Sequence, residues 1–140
     1  MKVKLSELDL AFDIASFEGY AEAWLDRETG QFYFRGDGFD EEEEPLPDDI
    51  EENERYVPVP SKRALDLGTS LVFEFVREEM PDAYNEVRNI FSSRGAYGRF
   101  RSFLSDRRAL DRWYAYENEA QTAALKQWCE DLRVEVEESA

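Results

Sequence analysis

The clearest structural signal in the chain is the stretch AEAWLDRETGQFYFR, which occupies residues 21–35. Two runs that carry aromatic side chains, 21–26 and 31–35, lie on either side of a short loop that ends in Gly30. Aromatic residues favour strands, and a glycine supplies the positive φ that a short hairpin loop requires. The pattern therefore predicts a β-hairpin.

The residues that follow the hairpin change from apolar to acidic. Residues 37–52 include four consecutive glutamates and two prolines. Like charges repel and prolines interrupt regular structure, so we predict a mobile acidic loop that adds little to stability. A short strand is predicted next, at residues 55–59, where Pro58 favours a sheet edge or a strand end.

Helical periodicity dominates the rest of the chain. Ser6 is placed to cap a first helix, whose predicted inner face is Leu8, Ala11, Phe12 and Ala15. Further helices are predicted at about 61–79, from Pro81 to 91, at 95–104 behind a Ser93 cap, and from Ser105 or Asp106 to about 132. A last short strand is predicted at 134–136. The sequence thus indicates a single α+β domain over residues 1–140. It comprises a small antiparallel sheet, the hairpin plus one or two short strands, packed by four or five helices.

Composition excludes several classes of function. The net charge of −16 repels nucleic acid and anionic membranes at long range. Histidine is absent, which rules out Ser-His and Cys-His nucleophilic centres, and Cys129 is the only cysteine. No signal core and no run of about 20 apolar residues is present. We therefore expect a cytoplasmic protein with no metal, no cofactor and no membrane partner.

Positive charge is concentrated in one region. Residues 1–60 carry a net charge of −13 and residues 61–140 a net charge of −3. Within the second part, residues 88–112 contain seven arginines and only two acids, which gives this stretch a local charge of +5. These seven residues, named here the arginine patch, are Arg88, Arg94, Arg99, Arg101, Arg107, Arg108 and Arg112.

The arginine patch has two interpretations. Arginine's planar fork matches phosphate and carboxylate, so Arg94, Arg99, Arg101, Arg107 and Arg108 are candidate binding residues for an anion or an acidic partner. Alternatively, these arginines neutralise the acids of their own chain. Both interpretations stay open. Helix geometry adds the prediction that at least one of Arg94, Arg99 and Arg101 is exposed without an acidic partner, while Tyr97, Phe100 and Leu104 point inward.

The last predicted helix carries Glu117 in the middle of an apolar stripe, which makes it a possible buried polar residue. Its two interpretations are a structural pair with an arginine of the patch and a general acid–base. Trp113 and Trp128 share the stripe and are predicted core residues. Cys129 lies beside it, and its acidic neighbours are expected to raise the thiol pKa and leave it inert.

Five motifs in order resemble a known family. They are WLDRETG at 24–30, RYVPVPS at 55–61, SRGAYGRFR at 93–101, WYAYE at 113–117 and WCED at 128–131. The chain resembles, over nearly its whole length, the bacterial family of uncharacterised proteins numbered UPF0158. The resemblance supports the fold but implies no activity. Glu117 stands where the family pattern has a basic residue, which weakens a catalytic role.

Three functions follow as hypotheses. The first is a non-enzymatic binding or regulatory module that uses the arginine patch on an anionic or acidic partner, either a protein or a phosphate-bearing ligand. The second is a nucleic-acid-associated protein that contacts phosphates through the same patch. The third and weakest is a carboxylate-based enzyme that uses Glu117.

Overall fold

The computed structural model describes residues 2–138 and confirms the α+β class. Its elements are β1 (Lys2–Lys4), α1 (Leu5–Ala15), β2 (Ala21–Asp26), β3 (Phe32–Gly36), β4 (Tyr56–Pro58), α2 (Thr69–Glu79), α3 (Tyr84–Ile90), α4 (Ala96–Asp106), α5 (Leu110–Asp131) and β5 (Glu135–Glu137). The chain divides into two units. Unit 1 contains the residues up to 65 and those from 124 onward, and unit 2 contains residues 66–123. That the chain is a single domain stays a prediction.

Unit 1 is built on the predicted hairpin. Strands β2 and β3 pair antiparallel with Trp24 opposite Tyr33, and β4 adds to the other side of β2. Pro58 therefore lies on an edge strand, where its missing N–H costs no sheet hydrogen bond. Gly36 has a φ of 124°, and a Cβ there would lie 2.2 Å from the Tyr20 carbonyl oxygen, so the close approach requires glycine.

A buried carboxylate joins the hairpin turn to β4. Asp26 is 1% exposed. Arg55 donates to it through Nε at 2.8 Å and Nη2 at 2.9 Å, and the backbone N–H of Glu28 donates to the same side chain at 2.9 Å. The Arg55 guanidinium, supported by the N–H donors of the turn, lowers the pKa of Asp26 to about 2. This pair holds two separate segments of the chain in register.

Helix α1 packs on the sheet with the predicted inner face, since Leu8, Ala11, Phe12 and Ala15 are all buried. Its predicted cap is wrong. The residue before the helix is Lys4, in extended conformation, and no side chain caps the helix there. Strand β1 runs directly into α1, which leaves Ser6 inside the first turn. Strand β1 itself pairs in parallel with β5 and had no counterpart among the predicted strands.

The acidic loop contains turns but no helix or strand, as predicted, and its ends are anchored. Phe39 stacks on Phe34 with ring centroids 5.2 Å apart. Ile50 is buried, and the neighbouring Glu51 accepts a hydrogen bond from Arg35 at 2.8 Å. Between these anchors, residues 40–45 are all exposed.

We predict that replacing residues 41–48 by a short Gly-Ser linker lowers the melting temperature by less than about 5 °C, because the removed segment buries little. The control is Ile50→Ala, which removes a buried anchor and is expected to cost about 2–4 kcal/mol of unfolding free energy. Thermal unfolding followed by circular dichroism measures both. A linker variant as unstable as Ile50→Ala would contradict the prediction.

Two predicted helix starts, those expected at about 61 and at 105 or 106, are wrong. The helix expected from about 61 begins only at Thr69, because Asp66 has a φ of 56° and Gly68 precedes the first turn. The last helix begins at Leu110, after α4 has continued to Asp106. Arg108, with a φ of 56°, marks the break between them.

The core of unit 2 is a network of aromatic side chains. Trp113 on α5 is 3% exposed and makes edge contacts with Phe75 and Phe100, with ring centroids 5.3 and 5.4 Å apart. Phe91 continues the network from Phe100 at 5.5 Å. Tyr116 contacts Phe75 at 5.2 Å. Helices α2, α4 and α5 thus each supply rings to one cluster, and the predicted core position of Trp113 is confirmed.

The end of α5 belongs to unit 1, and its inner face differs from the predicted one. Leu125 and Cys129 are buried completely, whereas Trp128 is only half-buried. The buried stripe is therefore rotated by one residue from the predicted one. Burial raises the pKa of the Cys129 thiol to about 11. The thiol pKa is raised as predicted, but through burial and not through its acidic neighbours, and the inertness of the thiol stays a prediction.

Candidate anion-binding site

The arginine patch lies entirely within unit 2. Arg88 is on α3 and Arg94 is in the connection that follows; Arg99 and Arg101 are on α4, Arg107 and Arg108 are between α4 and α5, and Arg112 is on α5. All seven are exposed. Phe100 and Leu104 anchor α4 in the core and fix the directions in which its arginines project. Tyr97, predicted to point inward, is 41% exposed and contacts the edge of Phe91 instead.

Arg99 serves the fold. Its guanidinium donates to the carbonyl oxygen of Ile90 at 2.9 Å, to that of Ser93 at 3.1 Å, and to the carbonyl of Arg94. It also donates to the Ser93 hydroxyl at 2.7 Å. These carbonyls belong to the end of α3 and the connection to α4, where a helix end leaves acceptors unsatisfied. Arg99 is therefore occupied within its own chain although it is exposed.

Arg107 is also occupied, but more weakly. Its Nη2 lies 3.3 Å from Glu86 Oε2, and its guanidinium lies 4.5 Å from the centre of the Phe103 ring. Both members of the ion pair are about half exposed, so water screens their attraction. The contact with Phe103 adds a cation–π attraction.

The other arginines of the patch have no such partner. Within the described part of the chain, Arg94, Arg101, Arg108 and Arg112 make no ion pair or side-chain hydrogen bond. The prediction that at least one of Arg94, Arg99 and Arg101 is exposed without an acidic partner is confirmed, since Arg94 and Arg101 both meet it among the described residues. Whether the free arginines bind an anion stays a prediction.

Charge within unit 2 is divided along the sequence. The unit has ten acids and eight arginines, for a net charge of −2. Six of the acids lie in 66–86, and those of α2 gather near Tyr116. Burial raises the pKa of Tyr116, and a hydrogen bond with Glu78 and the charges of Glu74 and Glu79 raise it further. The acids of α2 thus contribute to the raised pKa of Tyr116, and residues 88–112 carry a local charge of +5.

A shallow groove of about 590 Å³ runs along α4. It is lined by Ile90, Gly95, Gly98, Arg99, Ser102, Phe103 and Asp106. Gly95 precedes the helix with a φ of 74°, and no side chain caps the first turn. At Gly98 a Cβ would meet no atom within 4 Å, so the groove is open there.

Glu117, the possible buried polar residue, is half-buried on α5. Its neighbour Tyr116 has the same degree of burial, and the two belong to the same unit. Both interpretations of Glu117, the structural pair and the general acid–base, stay predictions.

Arg99 and Arg101 form a matched pair for separating fold from binding. We predict that Arg99→Ala lowers the free energy of unfolding by about 1–2 kcal/mol, because it removes a charged donor shared by several carbonyls. Arg101→Ala, two residues along the same helix, should change it by less than about 0.5 kcal/mol. Denaturant titration measures both. Equal losses for the two variants would show that Arg101 also has a structural partner.

Comparison with known proteins adds a family. The model of the Uncharacterised protein family (UPF0158) matches residues 5–139. No curated protein and no solved structure matches the chain. In the described residues, no helix is both long enough and apolar enough to cross a membrane.

Proposed function

The chain belongs to the UPF0158 family, and we propose that it is a non-enzymatic binding module whose arginine patch takes up a short acidic segment of a partner protein. The proposal includes a cytoplasmic location, with which a single cysteine agrees. The ligand groups would be the carboxylates of consecutive acidic residues, or phosphates on such a segment. Arg94, Arg101 and Arg108 would hold them, with Arg112 beside.

One observation carries the proposal. Within the described residues, three exposed arginines close together in sequence lack an acidic partner in a chain that has 33 acids and only 17 basic residues. Exposed arginines without an ion pair also occur in unit 1, but residues 88–112 concentrate seven arginines against two acids. Arg107 with Glu86, and Arg35 with Glu22 and Glu51, show that this chain does form such pairs.

The geometry gives Arg99 and Arg107 a supporting part. By tying α3 to α4, Arg99 fixes the backbone that carries Arg94 and Arg101. A rigid scaffold reduces the entropy lost when those side chains close on a ligand.

A short acidic segment suits this surface better than nucleic acid. Charges in water are screened over roughly 8–10 Å, so a short segment experiences mainly the +5 region. A long polyanion extends past that region and experiences the −16 of the whole chain. Nucleic acid is therefore the alternative, and the experiment below distinguishes it.

We predict that a fluorescein-labelled oligoglutamate peptide binds the protein at about 0.1 M salt, and that the variant Arg94→Gln/Arg101→Gln/Arg108→Gln binds it at least about tenfold more weakly. The matched control is Arg27→Gln/Arg63→Gln/Arg133→Gln. It removes three exposed arginines of unit 1 that have no ion pair within the described residues, and so changes the net charge equally. Fluorescence anisotropy measures both affinities.

The control should bind within about twofold of the wild type, since it leaves the patch intact. Equal weakening by the two triple variants would contradict the proposal, because binding would then follow net charge alone. A single-stranded oligonucleotide that binds more tightly than the peptide, with a steep salt dependence, would support the nucleic-acid alternative instead.

A further inference from the structure

Unit 1 exposes large apolar side chains that the arginine patch does not involve. Leu10 is 56% exposed, Phe17 is 65% exposed and Tyr20 is 69% exposed. The opposite side of α1 is fully buried against the sheet. Helix α1 is therefore apolar on two faces, and only one of them is covered within the described residues.

The exposed residues form one continuous strip. Leu10, Ile14 and Phe17 follow at helical spacing, and Ile14 is half-buried. The backbone N–H groups of Tyr20 and Ala21 both donate to the Phe17 carbonyl, at 3.0 and 3.1 Å. This closes a tight turn that brings Phe17 and Tyr20 close together. We name Leu10, Ile14, Phe17 and Tyr20 the docking strip.

Acids surround the docking strip. Residues 5–20 contain Glu7, Asp9, Asp13 and Glu18 and no basic residue. Burial raises the pKa of the Asp13 carboxyl and the neighbouring Asp9 raises it further, while Lys62 opposes both. Two lysines lie near this helix: Lys4 directly precedes it, and the backbone N–H of Lys62 donates to the Ser16 hydroxyl at 3.1 Å. The field over the strip is thus negative.

The size of the strip argues against a second copy of the chain. Aromatic and aliphatic side chains exposed to this extent present roughly 300–400 Å² together, whereas a stable interface needs about 800 Å² from each partner. Two copies of the strip would also bring four acids of one chain against four of the other. The area instead suits a weak, transient contact with one face of a single helix, and the acids suit cations on its flanks.

We propose that the docking strip binds a basic amphipathic helix of a partner protein. The apolar face of that helix would lie on Leu10, Phe17 and Tyr20. Its lysines and arginines would flank the strip and face Glu7 and Asp13. This surface is separate from the arginine patch, so the two interactions can be tested independently.

The probe is a labelled synthetic helical peptide of leucine and lysine with its leucines on one face. The comparison peptide carries glutamate in place of lysine. We expect the leucine–lysine peptide to bind the full chain and Phe17→Ala to weaken it about tenfold or more. Tyr114→Ala is the matched control, since Tyr114 is a 47% exposed aromatic residue of unit 2. It should leave the affinity unchanged.

A charge reversal tests the acids. Asp13→Lys should weaken binding of the leucine–lysine peptide and strengthen binding of the leucine–glutamate peptide. Glu119→Lys, at an exposed position in unit 2, makes the same change in net charge and should leave both affinities unchanged. Circular dichroism checks that each variant is folded. Failure of the leucine–lysine peptide to bind, or equal effects of Phe17→Ala and Tyr114→Ala, would overturn the proposal. So would a dimer in sedimentation that Phe17→Ala dissociates, because the strip would then belong to a second copy.

Discussion

Replacing Trp113 by alanine is expected to lower the free energy of unfolding by about 3–5 kcal/mol. The side chain is 3% exposed and lies between Phe75 and Phe100, which it contacts edge to face. Alanine leaves a cavity at the point where rings from α2, α4 and α5 meet, and the helices cannot close it without moving. Denaturant titration followed by far-ultraviolet circular dichroism measures the loss.

Trp128→Ala is the control for this substitution. Trp128 is on the same helix but only half-buried. Its replacement therefore loses less buried apolar surface and should lower the free energy of unfolding by less than half as much. If the two tryptophan variants lose equal stability, the aromatic cluster does not have the central place in unit 2 that its contacts indicate.

The second large effect is expected at Asp26. Asp26→Asn keeps an oxygen for the turn but removes the charge that faces Arg55, and it should cost about 2–3 kcal/mol at pH 7. The pKa of Asp26 is lowered from 3.8 to about 2 in the folded protein. The carboxylate therefore contributes stability above pH 3.8, and this contribution is lost as the pH falls towards about 2. A shift of this size corresponds to about 2 kcal/mol.

The difference between wild type and Asp26→Asn isolates this one group from the other acids. It should be constant from pH 7 to about 5 and shrink between about pH 4 and pH 2. Urea titrations at several pH values measure it. A difference that is as large at pH 2 as at pH 7 would show that the asparagine acts through packing and not through the lost charge.

The hairpin and the inner face of α1 were predictable because their signals are local. Gly30 ends a short loop between two aromatic runs, and the apolar residues of α1 recur at helical spacing. The pairing of β1 with β5 was not predictable in this way, because it joins residues 2–4 to residues 135–137, which have no local relation. The start of α2 at Thr69 depends on the backbone at Asp66, whose positive φ no periodicity reveals.

The candidate site was likewise only partly predictable from the sequence. The sequence shows seven arginines together, but it cannot separate occupied from free ones. Arg99 is occupied because main-chain carbonyls of the α3–α4 connection come within its reach, and Arg107 because Glu86 does. Arg101 is two residues from Arg99, but within the described residues its side chain bonds to neither a main-chain carbonyl nor an acid. Asp26 and Arg55 both stood in recognisable motifs, yet their contact is a product of the fold.

The central claim is that Arg94, Arg101 and Arg108 bind an acidic segment while Arg99 holds the scaffold. Nuclear magnetic resonance of the arginine Nε–Hε groups during titration with oligoglutamate peptide tests it most directly, because each guanidinium reports for itself. We expect the signals of Arg94, Arg101 and Arg108 to shift with the peptide, and those of Arg27, Arg63 and Arg133 in unit 1 to stay in place. Shifts of equal size in both groups, or shifts in the second group alone, would contradict the claim.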